Sequence, residues 1–171
     1  MPESEKNEII KAIKDFSLPK YNEIPNVGLY LEQTAKYISE YLKPILETAV
    51  TGSMISNYVK KGLLSNPIKK QYSREQIAYL LFIAVAKTVL SMEDIKLLIE
   101  TQKQTYDSEI AYNYFETELK KVLLYVFGME SSLEAIGEDS SEQKAILRNL
   151  IIAVSHKVYL EKSFSLLRNS K

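Results

Sequence analysis

Apolar side chains recur at intervals of three and four residues over most of the chain, which is the spacing that amphipathic helices produce. The first helix is predicted to end before the Leu18-Pro19 pair, because proline cannot continue the hydrogen-bond ladder. An acidic loop from Gly128 to Ser141 is predicted between the last two helices. Four long helices are predicted, over residues 3–16, about 29–41, 110–127 and 142 to about 167. The pattern as a whole predicts an all-α fold class.

The texture changes between residues 45 and 103, where short helical pieces alternate with tight turns. Residues 45–49 are predicted to form one or two turns of helix, and the helix that follows the next turn is predicted to end at Lys61. Residues 67–72 have no helical period, and they are predicted to form a small hairpin. The caps and turns of this segment are the Thr51-Gly52 turn, a cap at Ser53, a terminator at Gly62, the capping box Ser73-Arg-Glu-Gln76 and a cap at Ser91. The chain therefore divides into an N-terminal helical segment (1–44), a central segment (45–103) and a C-terminal helical region (104–171).

Composition excludes several classes of function. The absence of cysteine rules out disulfides, a thiolate nucleophile and cysteine-bound zinc, and no apolar run approaches the roughly 18 residues of a membrane helix. We therefore expect a cytoplasmic protein with no membrane partner. His156 is the only histidine, so it has no second histidine with which to share a metal ion, and no metal or other cofactor is predicted. No paired base and nucleophile or glycine-rich phosphate loop is present, so we do not expect an enzyme.

The formal net charge is zero, but the basic residues are unevenly distributed. Residues 48–74 contain five basic side chains and no acidic one, whereas the rest of the chain has an acidic excess. Small polar residues on a helix allow close approach to base edges, asparagine can pair with adenine, and lysine can reach phosphate or guanine. The side chains predicted to contact DNA are Ser53, Ser56, Asn57, Lys60 and Lys61 on the helix, Lys69, Lys70 and Gln71 on the hairpin, Arg74 at the next helix N-terminus, and Tyr58 and Tyr72 as half-buried supports with hydroxyls near phosphate.

Three runs in this segment resemble the winged helix-turn-helix of MerR-type transcription regulators. They are AVTGSMISNYVKKGLL, PIKKQYSREQIAYLLFI and LSMEDIKLLI, at residues 49–64, 67–83 and 90–99. More closely, residues 18 to about 128, with their leading Leu18 to Tyr21 segment, resemble an uncharacterised bacterial family known only as a domain of unknown function. The resemblance implies a winged helix-turn-helix with a small β-wing, flanked by N-terminal helices and a C-terminal helical lobe.

These observations predict a sequence-specific transcription regulator that binds double-stranded DNA as a homodimer, with the helices after Ile110 as the dimer surface. The alternative is a protein-interaction adaptor that no longer binds DNA, because Ser53 and Ser56 stand where MerR-type recognition helices typically carry arginines. Acidic groups at Glu116 and Glu118, and at Glu138, Asp139 and Glu142, are interpreted as structural. An aromatic face is interpreted as core or dimer packing, and the alternative is that it lines a small-molecule effector pocket. The face consists of Tyr106, Tyr112, Tyr114, Phe115, Tyr125 and Phe127.

Overall fold

The computed structural model describes residues 3–133 and 141–169, and these residues are mostly helical. Residues 134–140 of the predicted acidic loop, which include Glu138 and Asp139, lie outside the described residues. The prediction of a mostly helical chain is confirmed. In chain order, the described residues form α1 (Glu3–Asp15), a turn of 3₁₀ helix (Tyr21–Glu23), β1 (Leu29–Tyr30), α2 (Leu31–Leu42), α3 (Gly52–Lys60), β2 (Gln71–Tyr72), α4 (Arg74–Ala86), α5 (Met92–Thr105), α6 (Ser108–Val126) and α7 (Glu142–Asn169).

The chain divides into two compact units, and the boundary between them falls inside α6. The central unit comprises Leu18–Glu116, and the terminal unit comprises Met1–Ser17 together with Thr117–Lys171. These boundaries differ from the predicted divisions after residues 44 and 103. The segment from Leu18 to Tyr30 belongs to the central unit because β1 pairs with β2 there.

Helix α4 supplies much of the core of the central unit. Nine of its 13 residues are buried, in keeping with a sequence that is apolar around most of the helix. The helix begins at the predicted capping box: the Ser73 hydroxyl accepts a hydrogen bond from the Gln76 N–H, and the Ser73 N–H donates to Gln76 Oε1. Helix α5 likewise begins at Ser91, whose hydroxyl accepts from the Asp94 N–H. Both predicted caps are confirmed.

The connection between α2 and α3 differs from the prediction. Residues 43–51 form turns and bends, so the predicted helix over 45–49 is wrong. The Ser39 hydroxyl donates to the Val50 carbonyl and accepts from the Val50 N–H, each at 2.9 Å, and this pair ties the end of the connection to α2. Thr51 rather than Ser53 caps α3: the Thr51 hydroxyl accepts from the Met54 N–H, so the helix begins two residues earlier than predicted.

The first residue of α3, Gly52, marks a close approach between α2 and α3. A Cβ at Gly52 would lie 3.2 Å from Cγ of Leu31 and 2.4 Å from a carboxylate oxygen of Glu32, both on the first turn of α2. A side chain at this corner would therefore require the Glu32 carboxylate to move and the Leu31 side chain to shift slightly, and glycine avoids both adjustments. The structure has no separate turn at the predicted Thr51-Gly52 position, because Thr51 is the N-cap of α3 and Gly52 is its first residue.

The terminal unit is built from α1, the last part of α6 and α7. Its interior contains Glu118, which is fully buried, with Nε of Arg148 3.3 Å from one carboxylate oxygen. Burial raises the pKa of the Glu118 carboxyl, although the Arg148 guanidinium opposes that shift. Among the described residues, no helix combines the length and the apolar character that crossing a membrane requires.

Candidate nucleic-acid interface

Helix α3 separates its buried and polar side chains onto two sides. Ile55 and Tyr58 are buried completely. The outward stripe follows the i, i+3, i+4, i+7 spacing of one helix face and consists of Ser53, Ser56, Asn57 and Lys60, which are exposed except for the half-buried Asn57. The side chains of this stripe make no hydrogen bond to any described residue, so their polar groups are available to a partner.

The end of α3 is a Schellman motif, as the glycine terminator predicts. Gly62 has a φ of 78°, its N–H donates to the Val59 carbonyl, and the Leu63 N–H donates to the Tyr58 carbonyl. The Lys61 N–H donates to the Asn57 carbonyl. The carbonyls of Asn57, Tyr58 and Val59 are therefore satisfied by the backbone itself, without any lysine side chain.

The segment after α3 closes a two-residue hairpin turn. Ile68 and Gln71 form an antiparallel bridge, and the Gln71 N–H donates to the Ile68 carbonyl at 2.9 Å. The two residues at the tip, Lys69 and Lys70, have φ values of 52° and 63°, which is the left-handed backbone that a type I′ turn requires. Both lysines are exposed. We call this feature the 68–71 hairpin.

A second layer of backbone pairing supports the hairpin. Its second strand, β2, pairs antiparallel with β1, in the register Leu29 with Tyr72 and Tyr30 with Gln71. Sequence reasoning missed β1, which is only two residues long and finds its partner more than 40 residues away. The pairing holds one side of the 68–71 hairpin against the start of the central unit.

Gln76 fixes both ends of the segment that contains the hairpin. Its Nε2 donates to the Ser65 carbonyl at 3.0 Å and to the Asn66 carbonyl at 3.3 Å, on the side that leads into the hairpin. Its Oε1 accepts from the Ser73 N–H, on the side that leads out. Gln76 is only 8% exposed, so one buried amide positions the base of the hairpin.

Three of the predicted contact residues are buried or bound to other parts of the chain instead. Tyr58 and Tyr72 are 0% and 3% exposed, rather than half-buried, and burial raises the pKa of both phenols. Arg74 donates from Nε to the Ile24 carbonyl at 2.8 Å and from Nη2 to the Asn22 carbonyl at 3.1 Å. The expected roles of these side chains at the DNA surface are therefore not supported, and we leave all three out of the proposed contact set.

Two lysines that the sequence analysis did not single out lie at the end of α3. Nζ of Lys87 is 4.9 Å from the centroid of the Tyr58 ring. Nζ of Lys96 is 3.2 Å from the position that a Cβ on Gly62 would occupy. Lys87 follows α4 and Lys96 lies within α5, so only the folded structure brings them to this helix end.

The other candidate residues of the sequence do not form a common site. Glu116 pairs with Lys20, whose Nζ is 2.5 Å from Oε1, whereas Glu118 faces Arg148, so the two carboxylates have different partners. His156 is exposed on α7. Over residues 3–133 and 141–169, no group of three or more His, Cys, Asp or Glu side chains is arranged to hold a metal ion.

The aromatic face predicted over residues 106–127 contributes to packing. Tyr112 and Phe115 are buried, Phe115 meets Phe82 edge to face with ring centroids 5.2 Å apart, and the Tyr112 hydroxyl donates to the Pro19 carbonyl at 2.8 Å. In the terminal unit, Phe127 packs against Tyr159 in the same way. These contacts favour the core-packing interpretation of the face for the residues involved.

Together, the fold and this surface define a mostly helical protein in which a short polar helix face and a tight basic hairpin are exposed on one unit. The chain belongs to the family described as "Domain of unknown function (DUF1836)", whose family model matches residues 19–115. This match nearly coincides with the central unit, Leu18–Glu116, so the unit that carries the candidate surface is also the unit that the family shares. Comparisons with curated proteins and with solved structures find no significant match.

Proposed function

We propose that this protein is a dimeric, sequence-specific DNA-binding transcription regulator. In this proposal α3 is the recognition helix of a winged helix-turn-helix, and the 68–71 hairpin is its wing. The outward stripe of α3 enters the major groove, where the free carboxamide of Asn57 reads a base edge. Lys69 and Lys70 contact backbone phosphates, which supplies affinity and sets the register of the helix in the groove.

The observation that carries the proposal is the conformation of the hairpin tip. A left-handed backbone costs an L-residue about 1–2 kcal/mol, and Asn-Gly is the sequence that avoids this cost in a type I′ turn. Here two consecutive lysines occupy the two left-handed positions and are exposed. Strain of this kind is found preferentially at ligand-binding sites, and lysine at an exposed tip is the residue that a phosphate backbone would recognise.

A duplex-binding titration tests the proposal directly. A fluorescent duplex of random sequence is titrated with the protein at about 50 and 200 mM salt, followed by selection of preferred sites from a random library. We expect salt-dependent binding in the micromolar range or tighter. Asn57→Ala should reduce discrimination at one base pair by about 1–3 kcal/mol, whereas Lys69→Ala with Lys70→Ala should weaken binding to all sequences.

The same titration distinguishes the alternative function. A protein-interaction adaptor would show no salt-dependent duplex binding in the micromolar range, because its surface does not neutralise the phosphates of DNA. That outcome, obtained with folded protein, would rule out the regulator. The serines at positions 53 and 56, where MerR-type helices carry arginine, are the feature that makes this alternative worth testing.

Dimerisation through α7 forms part of the proposal, since one module contacts few base pairs. An exposed stripe runs along α7 at spacings of three and four residues: Ile146, Asn149, Ala153, His156, Leu160, Phe164 and Leu167. Ile146 and Leu167 are 21 residues apart, so the stripe is about 31 Å long. Its four large apolar members are between 47% and 54% exposed. Three of these four residues, Leu160, Phe164 and Leu167, lie together near the end of α7, and an exposed apolar group of this kind is what one copy offers to another in an isologous helix pair.

The oligomeric state of a charged variant tests this part. Leu160→Glu with Phe164→Glu places two carboxylates on the stripe and should convert a dimer into a monomer in light scattering. Ile110→Glu is the matched control, because Ile110 is a single exposed apolar residue (60%) on α6. A wild-type protein that is monomeric at about 100 μM would contradict the dimer.

A further inference from the structure

The end of α3 collects four lysines from three separate segments of the central unit. Lys60 and Lys61 lie in the last turn of α3 and at its C-cap. Lys87, the C-cap residue of α4, stacks its ammonium on the ring of Tyr58, and Lys96 of α5 places its ammonium beside Gly62. We call these four residues the α3-end cluster.

The cluster has no neutralising partner among the described residues. None of its four ammonium groups is within salt-bridge distance of a carboxylate there, and none donates a hydrogen bond. The acidic residues close to Lys96 in sequence do not pair with it; Asp94, for example, accepts a hydrogen bond from the Ser91 hydroxyl instead. Lys60, Lys61 and Lys87 are exposed, and Lys96 is partly exposed.

A structural role at the helix end does not account for the cluster. Cations near a helix C-terminus interact favourably with its dipole, and lysine side chains can cap the last carbonyls. Here the carbonyls of Asn57, Tyr58 and Val59 are already satisfied by the N–H groups of residues 61–63. Like charges that collect at one end of a helix repel one another when they lie within the screening length, which is about 8 Å at physiological salt. An unpaired cationic cluster of this kind is suited to a polyanion.

We propose that Lys87 and Lys96 contact backbone phosphates of the DNA duplex that α3 enters, together with Lys60 and Lys61. This inference rests on the proposed function and extends it, because it adds phosphate contacts from two helices outside the predicted recognition helix and wing. Gly62 leaves room for the Lys96 ammonium beside the helix end, and the Tyr58 ring supports Lys87 from below the surface. The cluster and the 68–71 hairpin then supply separate sets of phosphate contacts.

The test is the salt dependence of duplex binding by Lys87→Gln with Lys96→Gln. Each phosphate contact contributes about 0.9 to the slope of log affinity against log salt. If each lysine neutralises one phosphate, the slope should become shallower by about 1.8 per subunit, so a fourfold rise in salt should weaken binding about twelvefold less than in the wild type for each subunit bound. A role in helix capping alone would lower the melting temperature and leave the slope unchanged.

The chain offers a closely matched control, Lys43→Gln with Lys103→Gln. Lys43 is the C-cap residue of α2, as Lys87 is of α4, and Lys103 lies on α5 with its ammonium 5.0 Å from the Tyr79 ring centroid. The control removes the same charge from equivalent structural positions, so it should retain the wild-type slope. If the double variant does not fold, the single variants Lys96→Gln and Lys103→Gln are compared instead. Their salt slopes should differ by about 0.9.

The outcomes separate this inference from the proposed function. If the wild type binds duplex and the Lys87/Lys96 variant has the slope of its control, this inference is overturned and the regulator proposal stands. If the wild type shows no salt-dependent duplex binding, both are overturned. An unchanged duplex slope with reduced affinity for polyglutamate would assign the cluster to an acidic protein partner, which also overturns the inference.

Discussion

Replacing the tip of the 68–71 hairpin by Lys69→Asn with Lys70→Gly should stabilise the protein and weaken its binding to DNA. The two positions have φ values of 52° and 63°, and Asn-Gly is the pair that adopts this type I′ backbone most readily. Both lysines are exposed, so the substitution leaves no buried group unsatisfied. Opposite effects on stability and binding are the expected result at a strained functional site.

The size of the expected stabilisation follows from the left-handed backbone of the two tip residues. A left-handed conformation costs about 1–2 kcal/mol for each L-residue, and the substitution relieves most of that at two positions. Glycine at position 70 offsets about 0.5–1 kcal/mol of this gain, because it adds conformational entropy to the unfolded chain. The free energy of unfolding should therefore rise by about 1–2 kcal/mol, which for a chain of 171 residues corresponds to a melting temperature higher by about 2–8 °C.

Thermal unfolding and duplex titration of three proteins measure both effects. The control is Lys69→Gln with Lys70→Gln, which removes the same charges and keeps side chains in the left-handed backbone. Both variants should lose about 1.8 per subunit from the salt slope, but only the Asn-Gly variant should be stabilised. An Asn-Gly variant no more stable than the wild type would refute the argument from strain. Wild-type salt slopes in both variants would refute the phosphate contact.

Three further predictions concern stability. Ser39→Ala removes two hydrogen bonds to Val50 and should cost about 1–3 kcal/mol of unfolding free energy in chemical denaturation, and an unchanged midpoint would contradict this. Gln76→Glu keeps the acceptor of the capping box but loses the donor to the Ser65 carbonyl. Hydrogen exchange of the backbone amides near Ser65 should therefore accelerate without global unfolding. Burial raises the pKa of Glu118 above 4.5, so the carboxyl favours the folded state when protonated and destabilises it as pH rises. The melting temperature of Glu118→Gln should therefore exceed that of the wild type by an increasing amount as pH rises from about 4.5. A constant difference in melting temperature between pH 4 and 8 would contradict this.

The features that sequence predicted well depend on neighbouring residues. The caps at Ser73 and Ser91 form because a hydroxyl meets an N–H three residues later, and Gly62 ends α3 because only its backbone readily turns left-handed there. The tight turn at residues 68–71 also falls within the predicted hairpin, 67–72. Such features are decided within about five residues, so their signals survive in the sequence.

The features that sequence missed depend on distant partners. Residues 45–49 have the composition of a helix, but the Ser39 hydroxyl bonds to the backbone of Val50, and the connection forms turns and bends instead. Strand β1 exists only because β2 pairs with it. Arg74 has the position of a phosphate ligand at a helix N-terminus, yet the carbonyls of Asn22 and Ile24 occupy two of its donors. None of these pairings leaves a periodic or local signal, so tertiary structure overrides the local pattern in each case.

The candidate surface shows the same division between local and distant causes. The amphipathic pattern of α3 placed Ser53, Ser56 and Lys60 outward, and they are exposed. Tyr58 was misassigned because tyrosine suits both a surface and a core, and only its neighbours decide between them. Lys87 and Lys96 were overlooked because each belongs to a helix whose own sequence resembles an ordinary core helix or cap. A surface assembled from three segments has no counterpart in any single window of sequence.

The zero net charge of the chain does not argue against a polyanionic partner, because its cations are used in two different ways. Three basic side chains are paired with carboxylates: Lys20 with Glu116, Arg148 with Glu118 and Lys157 with Glu161. Arg74 and Lys120 keep their charge, but backbone carbonyls occupy donors of both. The lysines of the 68–71 hairpin and of the α3-end cluster have no such partner among the described residues. A paired cation is largely cancelled at distances beyond the screening length, whereas an unpaired one attracts phosphate. In the proposed function, the charge that governs binding is that of these exposed, unpaired lysines of the central unit, so removing them should change duplex binding far more than removing paired charge elsewhere.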